Sequence, residues 1–168
     1  MASEFTEGKL KTLITNLREM LANSSTLDYA KDSGYVSRDV ADLVKTSQFP
    51  FFNIVPGRTR ITKADEVRFG EIERHIYQVT IQLATRSMKM NVSVMGDGTI
   101  TGILDFAADA WTVLKSDRTV NSAVDGMIIF DIDPDAGIEI EPIAFEDEQK
   151  RIIVGAEITV DYYKDIEE

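Results

Sequence analysis

The sequence predicts an α+β fold, a mostly antiparallel sheet with two main helices packed on one face. Residues 75–83 and 150–164 alternate apolar and polar side chains with the period of a half-buried strand. Residues 4–23 and 103–114 instead repeat apolar side chains at spacings of three and four, the stripe of a helix that buries one face. No Pro-rich or Gly/Ser-rich linker divides the 168 residues, so the expectation is a single domain, 1–168.

The first helix takes Leu10, Leu13, Ile14, Leu17, Met20 and Leu21 as its buried stripe, with Ser3 as N-cap and Asn23-Ser24-Ser25 as its stop. Leu17 is its core anchor. In residues 28–44, Tyr29, Tyr35 and Val36 surround Gly34, and Val40, Leu43 and Val44 follow at helical spacing, which reads as a loop and a short helix.

Residues 49–83 organise the chain. Phe51-Phe52-Asn53-Ile54-Val55 favours a strand that Pro56-Gly57 should end, because proline has no donor for the ladder. Tyr77, Val79, Ile81 and Leu83 then share one face of the next strand, opposite Gln78, Thr80 and Gln82. Between them Arg58, Arg60, Lys63, Asp65, Glu66, Arg68 and Glu71 are too charged for a core, so a loop or hairpin arm should project at about 57–72. Arg58, Arg60, Lys63 and Arg68 are its candidate assembly contacts.

Met88, Met90, Val92 and Val94 alternate with Lys89, Asn91 and Ser93, again a strand period, with the methionines expected in the core. Gly96-Asp97-Gly98 supplies a turn. The second helix follows, capped by Thr99 or Thr101, with Ile103, Ala107, Ala110, Trp111 and Leu114 inward and Trp111 as its core anchor. Residues 126–133 and 138–145 read as a hairpin about Pro134-Asp135-Ala136-Gly137, whose second strand carries Pro142 and so belongs at a sheet edge. In the last strand Ile152, Val154, Ala156, Ile158, Val160 and Tyr162 share the buried face.

Composition narrows the functional classes. Hydrophobic residues at 43% and charged residues at 28% describe a chain that folds throughout. The absence of cysteine excludes disulfide scaffolds and thiolate metal sites, and suits a reducing cytoplasm. No apolar run reaches the roughly 20 residues of a membrane span, and residues 1–11 lack the pattern of a signal peptide. A net charge of −11, from 29 acids against 18 bases, argues against a phosphate-gripping nucleic-acid binder.

Motifs for chemistry are sparse. Asp131, Asp133 and Asp135 are spaced like a calcium loop, but Ala136 stands where the turn glycine belongs and Pro142 where the bidentate glutamate belongs, so no metal is expected. His75 is the sole histidine and reads as a packed or exposed strand residue. Nucleophile-elbow, P-loop and dinucleotide motifs are absent, so neither a cofactor nor an enzymatic activity is expected.

Several features in order resemble the tail terminator and tail-completion proteins of long-tailed bacteriophages. They are the amphipathic N-terminal helix, the Phe51-to-Gly57 strand end, the charged excursion, the 75–83 strand, the Gly102-Ile103-Leu104-Asp105-Phe106-Ala107-Ala108-Asp109 helix start and the alternating last strand. The resemblance implies a ring-forming subunit, commonly one of six, that caps the head-proximal end of the tail tube, stops tube polymerisation and joins the tail to the neck or head connector. Its implied partners are further copies of itself, the tail tube protein, neck or connector proteins and, in contractile tails, the sheath. It would act in the virion tail after assembly in the host cytoplasm. DNA would pass through such a ring without specific binding, so Asp131, Asp133, Asp135, Glu139 and Glu141 are candidates to line the lumen by repulsion. The alternatives are another phage neck or head-completion protein, a small non-viral oligomeric binding module, and a small enzyme with an unrecognised site.

Overall fold

The structure is a computed structural model and describes residues 7–32, 49–63, 72–120, 138–146 and 149–167. Its elements in chain order are α1 (Glu7–Ala22), β1 (Lys31–Asp32), β2 (Phe51–Lys63), β3 (Ile72–Ser87), α2 (Met90–Met95), α3 (Ile103–Ser116), β4 (Ile138–Glu146) and β5 (Ile152–Glu167). They form one five-stranded sheet in the order β1-β2-β3-β5-β4. Only the two-residue β1 runs parallel to its neighbour; the four long strands are antiparallel. The fold is therefore α+β, with a mostly antiparallel sheet. Ser3, the short helix of Val40, Leu43 and Val44, and the first strand and turn of the acidic hairpin lie outside the described residues.

One sheet face is apolar because the period-two runs of three strands are in register. Phe52 pairs with Leu83 and Ile54 with Ile81. Leu83, Ile81, Val79 and Tyr77 in turn stand opposite Ala156, Ile158, Val160 and Tyr162. All these side chains are buried. On them sit Leu13, Ile14, Leu17 and Leu21 of α1 and Ile103, Phe106, Ala107, Ala110, Val113 and Leu114 of α3, in one core cluster. The three alanine and isoleucine positions of α3 expected inward are inward, because small side chains let the helix axis approach the sheet.

Trp111 corrects the expected anchor. It only packs against the edge of the core, with the Lys115 ammonium 5.7 Å from its ring centre. The buried aromatic of α3 is Phe106, whose ring meets Tyr29 edge-on at 5.5 Å. Tyr29 lies after the short 3₁₀ turn Ser25–Leu27 that follows α1, and its hydroxyl donates to Asp109 Oδ2 at 2.7 Å. That bond and Arg18, which grips Asp32 through two hydrogen bonds of 3.0 Å, fasten the α1 end of the chain to α3 and β1.

Burial, and then the Asp109 carboxylate, hold the Tyr29 phenol protonated well above its ordinary range. Burial does the same to Tyr162, with Asp117 adding to it. A folded pKa above the unfolded one contributes stability below the unfolded value, about 10, that is lost as pH rises beyond it. The urea midpoint is accordingly expected to hold from pH 8 to about 10 and then fall, with a shallower fall in Tyr29→Phe. Identical slopes for the two proteins would show that Tyr29 carries none of this linkage.

Two strand expectations need correction. β2 does not stop at Pro56-Gly57 but runs on to Lys63, pairing Thr59 with Tyr77, Arg60 with Ile76 and Lys63 with Glu73. A register shift between Pro56 and Thr59 absorbs the missing proline donor, so the ladder resumes beyond it. Residues 88–94 are not a strand: Met90–Met95 is helical, after Lys89 in extended conformation. The inward residue is Ser93, whose hydroxyl donates to the Ile152 carbonyl at 2.8 Å, while Thr85 Oγ1 donates to the Ser93 carbonyl at 2.7 Å. These bonds satisfy backbone groups where β3 ends and β5 begins, and they outweigh the period-two pattern.

The cap of α3 also differs from expectation. Its N-cap is Gly102, without a side-chain bond. The preceding turn is held instead by Asp97 Oδ1, which accepts from the Thr99 and Ile100 amides at 2.7 Å each, and these bonds hold the Asp97 carboxyl below its ordinary range.

Candidate interaction surfaces

The sheet face away from the helices is built from the other half of each alternation, and most of it is polar. Asn53 Nδ2 donates to Gln82 Oε1 and Gln82 Nε2 to Glu157 Oε1, each at 3.0 Å, so a side-chain ladder crosses three strands. One layer on, the Thr80 and Thr159 hydroxyls lie 3.2 Å apart. Farther along, Arg60 meets Asp161 at 3.0 Å, and Arg74 pairs with Asp165 through two bonds of 2.7 and 2.9 Å while stacking 4.3 Å over Tyr163. The exposed Arg74–Asp165 pair contributes little to stability, about 0–1 kcal/mol, whereas Asp161 is buried; both pairs join neighbouring strands on this face. Among the described residues this face forms an apolar cluster near Phe51, Ala84 and Ile153, against Phe49.

The break in β2 opens a concavity bounded by Pro56, Gly57, Arg58, Arg60 and Gln78. A Cβ at Gly57 would lie 2.9–3.1 Å from Gln78 atoms, so any larger residue there must displace the Gln78 side chain. Arg58 is exposed at its rim, and Arg60 keeps 47% of its side chain exposed despite the Asp161 pair. Of the candidate assembly contacts, Arg58, Arg60 and Lys63 thus belong to one strand paired with β3, the hairpin and not the loop of the two alternatives, while Arg68 lies outside the described residues. Thr59, Ile61 and Thr62 were the available signal, since β-branched residues interleaved with the arginines favour a strand. Residues 64–71 are outside the described residues.

Asp131, Asp133 and Asp135 also lie outside the described residues. Glu139 and Glu141 are on β4, the outermost strand on its side among the described residues, with a register irregularity between Glu139 and Ile143. Glu139 stands opposite Glu157 of β5. His75 is packed, 2% exposed, with Nε2 3.2 Å from Glu73 Oε2, and faces Lys164 across the β3–β5 ladder.

The methionines overturn the core expectation. Met88, Met90 and Met95 are 67%, 44% and 65% exposed, because the helical turn that buries Ser93 directs them outward. Among the described residues, no three His, Cys, Asp or Glu side chains are grouped to hold a metal ion, and no helix is long and apolar enough to cross a membrane.

No protein-family model matches the sequence, and no curated protein matches it.

Proposed function

We propose that this chain is a structural virion protein that assembles into a ring, expected to have six subunits, at the head-proximal end of a phage tail tube. There it ends tube polymerisation and joins the tail to the neck or head connector. The reading starts from the resemblance of the sequence to tail terminator and tail-completion proteins. The observation that best supports it is the sheet itself: four long antiparallel strands with the helices on one face, an ion-paired opposite face, and outer strands that no described strand covers along most of their length. Such edges are ready to pair with another chain. The partners are the tail tube protein, the connector proteins and, in a contractile tail, the sheath; DNA passes through without specific contacts.

The test has two parts. Purified protein at micromolar concentration is expected to sediment as a closed oligomer and to show rings by negative-stain microscopy. Added to polymerising tail tube protein from the same phage, it should cap tubes at one end and arrest growth. A monomer that leaves tube length unchanged would refute the role.

A further inference from the structure

We infer that the concavity at the break in β2 is a carboxylate site, in which Arg58, Arg60 and Gln78 take an aspartate or glutamate side chain of a protein partner. Such a site is independent of ring formation, because its partner is specified only by an acidic side chain.

Strand register builds the site. Pro56 pairs with Val79 and Thr59 with Tyr77, so Gly57 and Arg58 together stand opposite the single residue Gln78, as in a β-bulge. A bulge re-aims the side chains that follow it, and Arg58 and Arg60 border one hollow together with Gln78. Gly57 leaves room for the Gln78 side chain, since a Cβ there would lie 2.9 Å from Gln78 Oε1. Gln78 is level with Asp161 of β5, and Arg60 Nη2 lies 3.0 Å from Asp161 Oδ2. β3 separates β2 from β5, so the Arg60 side chain crosses over β3, which carries its guanidinium toward the Gln78–Asp161 row.

These donors face solvent with capacity to spare. Arg58 is exposed, and Arg60 keeps 47% of its side chain exposed while one of its nitrogens bonds Asp161. Gln78 is half-buried. Among the described residues neither the Arg58 guanidinium nor the Gln78 carboxamide has a hydrogen-bond or ion-pair partner. One whole guanidinium fork, the remainder of a second and an amide N–H₂ thus border a single hollow, a donor set that the two oxygens of a carboxylate can satisfy.

Charge selects the ligand. Two guanidinium charges against the Asp161 carboxylate leave one positive charge, which a single carboxylate neutralises, whereas a phosphate dianion would exceed it and meet Asp161. A nucleic acid is further disfavoured by the net charge of −11. Exposed guanidinium groups hold a lone carboxylate weakly, so the acid has to arrive on a larger partner that makes further contacts. The next rows of the same face offer them: Ile76 and Tyr163, paired across β3 and β5, are half-buried, and Arg74 stacks 4.3 Å over Tyr163. Tyrosine and arginine are the side chains that protein interfaces concentrate.

The test uses the ¹⁵N-labelled full chain at low salt and follows the Nε–H signals of Arg58 and Arg60 and the side-chain amide signals of Gln78 by NMR. The probe is the blocked peptide Ala-Ala-Glu-Ala-Ala, with its glutamine counterpart, sodium acetate and inorganic phosphate as comparisons. The glutamate peptide should shift all three sets of signals saturably, and the glutamine peptide should not. Arg58→Gln and Gln78→Leu should each raise the half-saturation concentration about threefold or more, with the melting transition of the wild type retained. Arg58→Lys, which keeps the charge and loses the fork, should fall between Arg58→Gln and the wild type. Absence of saturable shifts, equal shifts with the two peptides, or wild-type binding by Arg58→Gln would overturn the site and leave the ring reading standing. Tighter binding of phosphate than of the glutamate peptide would overturn the carboxylate assignment, and acetate binding as tightly as the peptide would overturn the protein partner.

Discussion

Phe106→Ala is expected to destabilise the fold by about 3–5 kcal/mol, and Trp111→Ala by about 1–2 kcal/mol, although tryptophan is the larger side chain. Phe106 is fully buried between α3 and the sheet and presents its ring to Tyr29, so truncation leaves a cavity walled by packed side chains. Trp111 already borders water, and its loss removes partly solvated surface and a stacking contact with Lys115. Urea denaturation followed by circular dichroism gives both numbers. For a chain of this size the Phe106 variant should melt roughly 10 °C lower. A larger loss in the Trp111 variant would mean that α3 is rotated about its axis relative to the arrangement described.

The second large effect is expected at Gly102, where alanine should cost about 3 kcal/mol or more, the upper end for overpacking. The backbone between α2 and α3 folds so tightly that a Cβ at position 102 would collide with the Gly96 amide nitrogen and lie 2.5 Å from Met95 C and Val94 O. All three are main-chain atoms and cannot rotate aside. Gly96 meets the same crossing from the other side, with φ of +77°. Gly98, two residues on in the same turn, has nothing within 4 Å of its Cβ position, so Gly98→Ala is the control and should stay within about 0.5 kcal/mol of wild type. Equal midpoints for the Gly102 and Gly98 variants would show that the α2–α3 crossing is looser than described.

The legible parts of this protein are those where one rule acts without competition. Leu13, Leu17 and Leu21 on α1, and the alternation from Val154 to Tyr162 on β5, each report a single buried face, and the sheet and helices use those faces. Of the candidate site, Arg58, Arg60 and Lys63 were expected on a projecting loop or hairpin arm, and they lie on β2, paired with β3 as far as Lys63. Charge argues there against a core, and the β-branched Thr59, Ile61 and Thr62 favour a strand; β2 meets both because Arg58 and Arg60 stay exposed on it.

Local pattern by itself determined the fold class, the buried faces of α1 and β5, part of that of α3, and the asymmetry of charge between β2 and β4. Tertiary structure alone decided that residues 90–95 are helical, that Ser93 is inside while Met88, Met90 and Met95 are outside, and that Phe106 displaces Trp111 as anchor. It also decided the strand order, which sets the basic β2 and the acidic β4 on opposite sides of the central β3–β5 pair. The physical reason is common to these cases. Apolar periodicity is a property of neighbouring residues, whereas the hydrogen bonds from Thr85 to Ser93 and from Ser93 to Ile152, and the packing of Tyr29 on Phe106, join groups that come together only when the chain has folded.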